Sequence, residues 1–186
     1  MKKICEIAVA VLTLSLLAVP AAMAAGQTSA KPATKAAPVH PWVSFNPGAW
    51  VRIKSTTVEE TAGKKKTTIV ETKITLLEKT ADKVVLQTDM TTADGQTTTT
   101  KAEFPVQGYT DAVPPGVKVL KKGSETVTIG DKAVTCQTLE TLLNAGGTMI
   151  QSKTWTSAQV PGSLVKNVST SPGSQSTAEV VDFKAS

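Results

Sequence analysis

TMIQSKTWTSAQVPGSLVK, residues Thr148 to Lys166, holds one of the three tryptophans, a strand-like run, a Pro-Gly turn and the start of a second run. In an extended chain Met149, Gln151, Lys153 and Trp155 share one face, and Ile150, Ser152, Thr154 and Thr156 share the other. Neither set is purely apolar, so both faces of this strand are expected to be partly wet. Pro161-Gly162 is the signature of a type II turn: Pro presets φ at the second position and Gly supplies φ > 0 at the third. Leu164-Val165 then restarts a strand. Two readings of this corner are open. In one, Trp155, Val160, Pro161 and Gly162 border a ligand mouth on the concave face of a sheet. In the other, Trp155 is packing mass that covers the sheet.

Upstream, the chain supplies strands for this hairpin to join. Thr and Val are abundant, and both are stiff at χ1 and favour strands. Trp50 to Glu60 and Thr67 to Glu78 are long runs around Ala62-Gly63-Lys64. In the second, Val70, Ile74 and Leu76 alternate with Glu71, Lys73 and Thr75, the pattern of a half-buried strand. Lys83 to Thr92 and Thr97 to Val106 flank Asp94-Gly95, a hairpin turn signal. Gln107 to Gly116 is the longest irregular stretch of the domain, with Tyr109 and Pro114-Pro115. Val117 to Lys121 and Glu125 to Ile129 read as a strand broken at Gly123. Gly130-Asp131 is a turn. Ala133 to Leu143 has helically spaced leucines at 139, 142 and 143, but its β-branched start and the Asn-Ala-Gly-Gly turn favour a strand. Ser171-Pro172-Gly173 and a last strand, Ala178 to Phe183, complete the set. Sequential neighbours usually pair. The expected fold is therefore all-β: one curved antiparallel meander, or a partly open barrel, of about eight or nine strands with little helix.

The N-terminus reads as an export signal. Lys2 and Lys3 precede an apolar run, Ile7 to Val19, shorter than the roughly 20 residues a membrane-spanning helix needs. Pro20 ends it, and Ala22-Met23-Ala24 is an A-x-A cleavage site. The expected organisation is a signal peptide over 1–24, a disordered linker over 25–41 and an antiparallel β domain over 42–186, with no transmembrane segment in the mature chain. The expected location is the periplasm or beyond. Cys5 leaves with the signal peptide, so Cys136 is the one cysteine of the mature chain and has no internal disulfide partner. It shares a strand face with Val134 and reads as a small buried hydrophobe.

Formal charge is +5, with Lys64-Lys65-Lys66 and Lys121-Lys122 as local clusters. Such lysines suit turns and sheet edges, and without interleaved aromatics they do not make a nucleic-acid surface. The single histidine, His40, falls at the linker's end. Inside the domain there is thus no Ser/His or Cys/His pair for nucleophilic catalysis and no His-based or Cys-cluster metal site. Glu59, Glu60, Glu71, Glu78, Asp89, Glu103 and Glu125 alternate with Lys and Thr as solvated strand faces do. No catalytic residue, metal site or cofactor is expected.

WVSFNPGAWV (Trp42 to Val51) and WTSAQVPGSLVK (Trp155 to Lys166) together resemble patterns in uncharacterised exported bacterial β-proteins. More distantly, the order of elements is similar to periplasmic carriers of the lipoprotein-localisation type, whose curved antiparallel sheet holds acyl chains. The plug helices of those carriers have no counterpart here, and no functional residue is carried over. The resemblance implies a non-catalytic carrier-like module for an apolar small molecule or a lipoprotein. The alternative is a structural or protein-interaction domain without a small ligand.

Overall fold

The computed structural model of the chain describes residues 39–108 and 116–186. The expected signal peptide, the expected linker up to residue 38 and the Tyr109 and Pro114-Pro115 stretch lie outside the described residues. Nine strands follow one another: β1 (Trp50–Thr61), β2 (Lys64–Lys79), β3 (Lys83–Thr92), β4 (Thr97–Pro105), β5 (Val117–Ile129), β6 (Lys132–Ala145), β7 (Thr148–Thr156), β8 (Leu164–Ser171) and β9 (Ser174–Lys184). They form one antiparallel sheet in the order β4-β3-β2-β1-β9-β8-β7-β6-β5. Two meanders, β1 to β4 and β5 to β9, are thus joined where the first strand pairs with the last. The sheet does not close: β4 and β5 are its two edges. No α-helix occurs among the described residues.

One strand reading changes, and the ambiguous one is a strand as expected. β5 runs unbroken through Gly123, because the ladder to β6 continues from Lys122↔Leu139 to Ser124↔Gln137. A Cβ at Gly123 would sit 3.0 Å from Thr138 Oγ1 on the neighbouring strand, a tight contact that the threonine side chain would have to relieve. The true irregularity in β5 is a bulge between Val119 and Lys121. Strand β6 takes in the whole of the Leu139 to Leu143 region, so cross-strand pairing with both β5 and β7 overrides its helical leucine spacing.

The core lies at one end of the sheet, where β1 begins and β9 ends. Val51, Ile53, Leu76, Val84, Leu86, Ala178, Val180 and Phe183 are buried there on what we term the inner face. The chain before β1 caps this end. A 3-10 turn, Pro41–Ser44, buries Trp42, whose ring meets Phe45 edge-on with centroids 6.5 Å apart. Lys79 Nζ holds this segment to the sheet by donating to Val43 O at 3.2 Å and Phe45 O at 2.7 Å. The fold also reaches back past Trp42. His40 N donates to Val106 O, Val39 pairs with Gln107, and the His40 ring stacks on Phe104. The second cap is the Ser157–Ser163 loop, where Val160 O accepts from Ser163 N at 2.8 Å and Gly162 has φ +77°. That is the type II turn expected of Pro161-Gly162.

Candidate functional site

The four residues of the β7–β8 corner do not form one surface. Val160 is fully buried, and Pro161 with it, inside the proximal core. Gly162 lies so close to Trp42 that a Cβ would be 2.9 Å from Nε1. These three residues are cap, and they close the proximal end. Trp155 points the other way. Its register partners are Thr138 and Lys166, and Lys166 in turn pairs with Glu179, so Trp155 stands on the outer face. Alternation from Thr154, whose hydroxyl accepts from Asn167 Nδ2 on the inner face, puts Trp155 on the opposite face, where it packs against the core cluster that includes Val134 and Cys136.

There Trp155 acts as a strap. Indole Nε1 donates to Glu125 Oε2 at 2.8 Å, and Lys153 Nζ bonds Glu125 Oε1 at 2.6 Å. Trp155 and Lys153 are on β7 and Glu125 is on β5, so this bridge passes over β6, which lies between them. Strands two apart are separated by about 10 Å, a gap an indole and a glutamate together span. Under it lie Thr138 and Cys136, both buried. Lys153 sits 4.6 Å from the Trp155 ring centroid, and Lys166 lies 5.9 Å from it. The bond from Lys153, then that from Trp155, holds the Glu125 carboxyl below its ordinary range. Burial pushes the Cys136 thiol up, which keeps it protonated and inert.

The inner face changes character away from the core. In its middle runs a ladder of hydroxyls and amide. Thr57 meets Ser176 at 3.2 Å, Asn167 donates to Thr154 at 2.8 Å, and Ser152 meets Ser169 at 2.8 Å. Ser169 also donates to Asn167 Oδ1 at 3.1 Å. Flanking this ladder, the register places Val70 and Met90 on one side and Leu139, Leu143 and Ile150 on the other. All are partly exposed, Met90 to 41%. The distal half of the inner face is thus a hydroxyl strip between two apolar borders. Sequence reading did not single out these residues, because they come from separate strands and only the register aligns them.

His40 belongs to the fold and not to a free linker, with its pKa lowered by burial. Its Nδ1 accepts from Trp42 N at 3.4 Å, so it caps the 3-10 turn. Among the described residues no group of three or more His, Cys, Asp or Glu is placed to hold a metal ion. None of their helices is long and apolar enough to cross a membrane.

The chain matches no protein-family model and no curated protein sequence. Among solved structures it is similar to a protein of Bacteroides fragilis described as exported, with a YmcC-like fold. Identity is 11% and the TM-score 0.49, over 77% of this chain and 98% of that one. It is also similar to a DUF1329 family protein of Desulfovibrio piger, with 11% identity and a TM-score of 0.24 over 74% of this chain and 86% of that one. Likenesses this distant carry no functional argument for the chain.

Proposed function

We propose that this chain is an exported, non-catalytic binding module that receives an apolar ligand or a lipidated partner on the distal half of its inner face. One observation carries the reading: the core fills that face at the proximal end only, while Val70, Met90, Leu139, Leu143 and Ile150 continue it, half-exposed, beyond the last core residue. A hydroxyl strip between apolar borders suits an amphiphile, with its chain against the borders and its polar group on the ladder. Export is supported by the Lys-apolar-AxA order of the first residues. Absence of a catalytic role is supported by His40 serving as a cap and Cys136 as covered core.

A protein-interaction domain without a small ligand is favoured by a different feature. The ladder hydroxyls bond one another, so they need no ligand to satisfy them. Native mass spectrometry of the protein purified without detergent from its own cell envelope separates the two. A bound lipid mass, lost in Leu143→Glu or Ile150→Glu, is the expected result. A bare chain that instead co-purifies with another protein would sink the carrier reading.

A further inference from the structure

The two free edges of the sheet are built differently. β5 carries a bulge at Leu120 and exposed Lys118, Lys121 and Lys122 beside it, the means by which natural sheets keep other strands from pairing. β4 has no bulge, and its charged residues are one lysine and one glutamate, Lys101 and Glu103. Its register to β3 is continuous from Thr91↔Thr97 to Lys83↔Pro105, and all nine of its residues are exposed. Its first four residues are threonines, which suit an extended partnered strand. A bulge-free exposed edge of this length is a template for another strand.

The phase of that edge is fixed. Val106 N donates to Asp82 O at 2.8 Å, so even-numbered residues of β4 turn their backbone groups toward β3. The odd-numbered ones, Thr97, Thr99, Lys101 and Glu103, turn theirs outward. Pro105, the next outward position, has no N–H to leave unpaired, and beyond it Gln107 pairs with Val39. The edge usable about Ala102 is therefore Thr99 to Pro105, where the proline can accept a hydrogen bond from Thr99 of a partner strand but cannot donate one.

We propose that β4 pairs with β4 of a second copy of this chain, antiparallel, about a two-fold axis at Ala102. This inference is independent of any ligand on the inner face. In this register Lys101 stands directly opposite Glu103 of the second copy, and Glu103 opposite its Lys101. Both positions are outward ones, so each pair exchanges backbone hydrogen bonds as well. Both side chains lie on the same face of the sheet, and opposite charges directly across a pair stabilise it. Lys101 has no ion-pair partner among the described residues, and Glu103 uses Oε1 for Lys83 at 2.9 Å, which leaves Oε2 for a second cation. A strand with Lys at one step and Glu two steps on complements itself under two-fold symmetry, the commonest way a chain meets its copy.

Sedimentation velocity of the intact exported protein tests this, at concentrations up to about 1 mM to cover weak association. The native protein is expected to sediment with twice the mass of one chain. Lys101→Glu and Glu103→Lys should each revert it to one chain, with an unchanged circular dichroism spectrum as proof of folding. The double variant Lys101→Glu/Glu103→Lys restores both pairs with their signs exchanged and should sediment as the dimer again. A native protein of single-chain mass, a dimer indifferent to both single reversals, or a monomeric double variant would each overturn the proposal.

Discussion

Replacing Trp155 by Ala tests the strap. Most of Trp155 is shielded from water, and truncation to Ala forfeits about 100 Å² of the 150–250 Å² an aromatic can bury. At about 25 cal/mol per Å² this amounts to about 2.5 kcal/mol. The lost Nε1 bond to the exposed Glu125 adds little to this. The expected destabilisation is thus about 2.5 kcal/mol, near the middle of the range for single substitutions with a named cause. It should be read most sharply at Cys136, which is fully buried beneath the strap. If labelling of this thiol requires opening of the sheet, about 2.5 kcal/mol corresponds to an acceleration of up to about a hundredfold, at a factor of ten per 1.4 kcal/mol. The assay is reaction of native protein with a disulfide reagent in a Cys5→Ser background, beside urea denaturation of the same variant. Trp155→Phe keeps most of the area and loses the N–H, so it should fall between the two. If Trp155→Ala leaves both the urea midpoint and the labelling rate unchanged, the indole does not cover β6 and the strap account is wrong.

Gly162→Ala forces an L residue to φ +77° and drives its Cβ into Trp42, so unfolding should become easier by about 2 kcal/mol or more, as read by denaturant midpoint. Lys79→Met keeps length and apolar stem but removes the donor from Val43 O and Phe45 O, and should cost about 2 kcal/mol, with faster amide exchange at Trp42 and Phe45 as the local readout. The Glu125 carboxyl titrates below its ordinary value of 4.5, so its contribution is present above that value and lost as pH falls through the depressed one. Cys136 labelling by a pyridyl disulfide, which works in acid, should accelerate in that window, and in Glu125→Gln the pH step should vanish.

Period-two alternation and turn chemistry made most strands legible. Lys83 to Thr92 was readable to the residue, since Ala81-Asp82 and Asp94-Gly95 bound it on both sides. Pro161-Gly162 announced its own turn because both residues are confined by backbone sterics. What the sequence could not show was register. The face on which Trp155 stands is set by pairing to Lys166 and Thr138, residues that nothing in a single strand identifies. Glu125 reaches Trp155 only because β6 lies between their strands, a relation of topology and not of spacing. Gly123 reads as a strand breaker for the same reason: the ladder that carries β5 through it is set by β6. His40 was read as linker because local composition around it is poor in apolar residues, whereas its place is fixed by Val106 and Phe104, far along the chain.

The pairing of β1 with β9 has a temporal consequence. A chain that emerges N-terminus first presents β1 to β4 as a complete meander, yet the strand that joins it to the other half is β9, the ninth in sequence order. Until that strand arrives, β1 is an open edge, and the proximal core lacks Ala178, Val180 and Phe183. Closure of this pair is of the highest sequence separation in the fold, the slow kind of step in β-proteins. On the proposed export route, such an order delays completion of the proximal core until β9 has arrived.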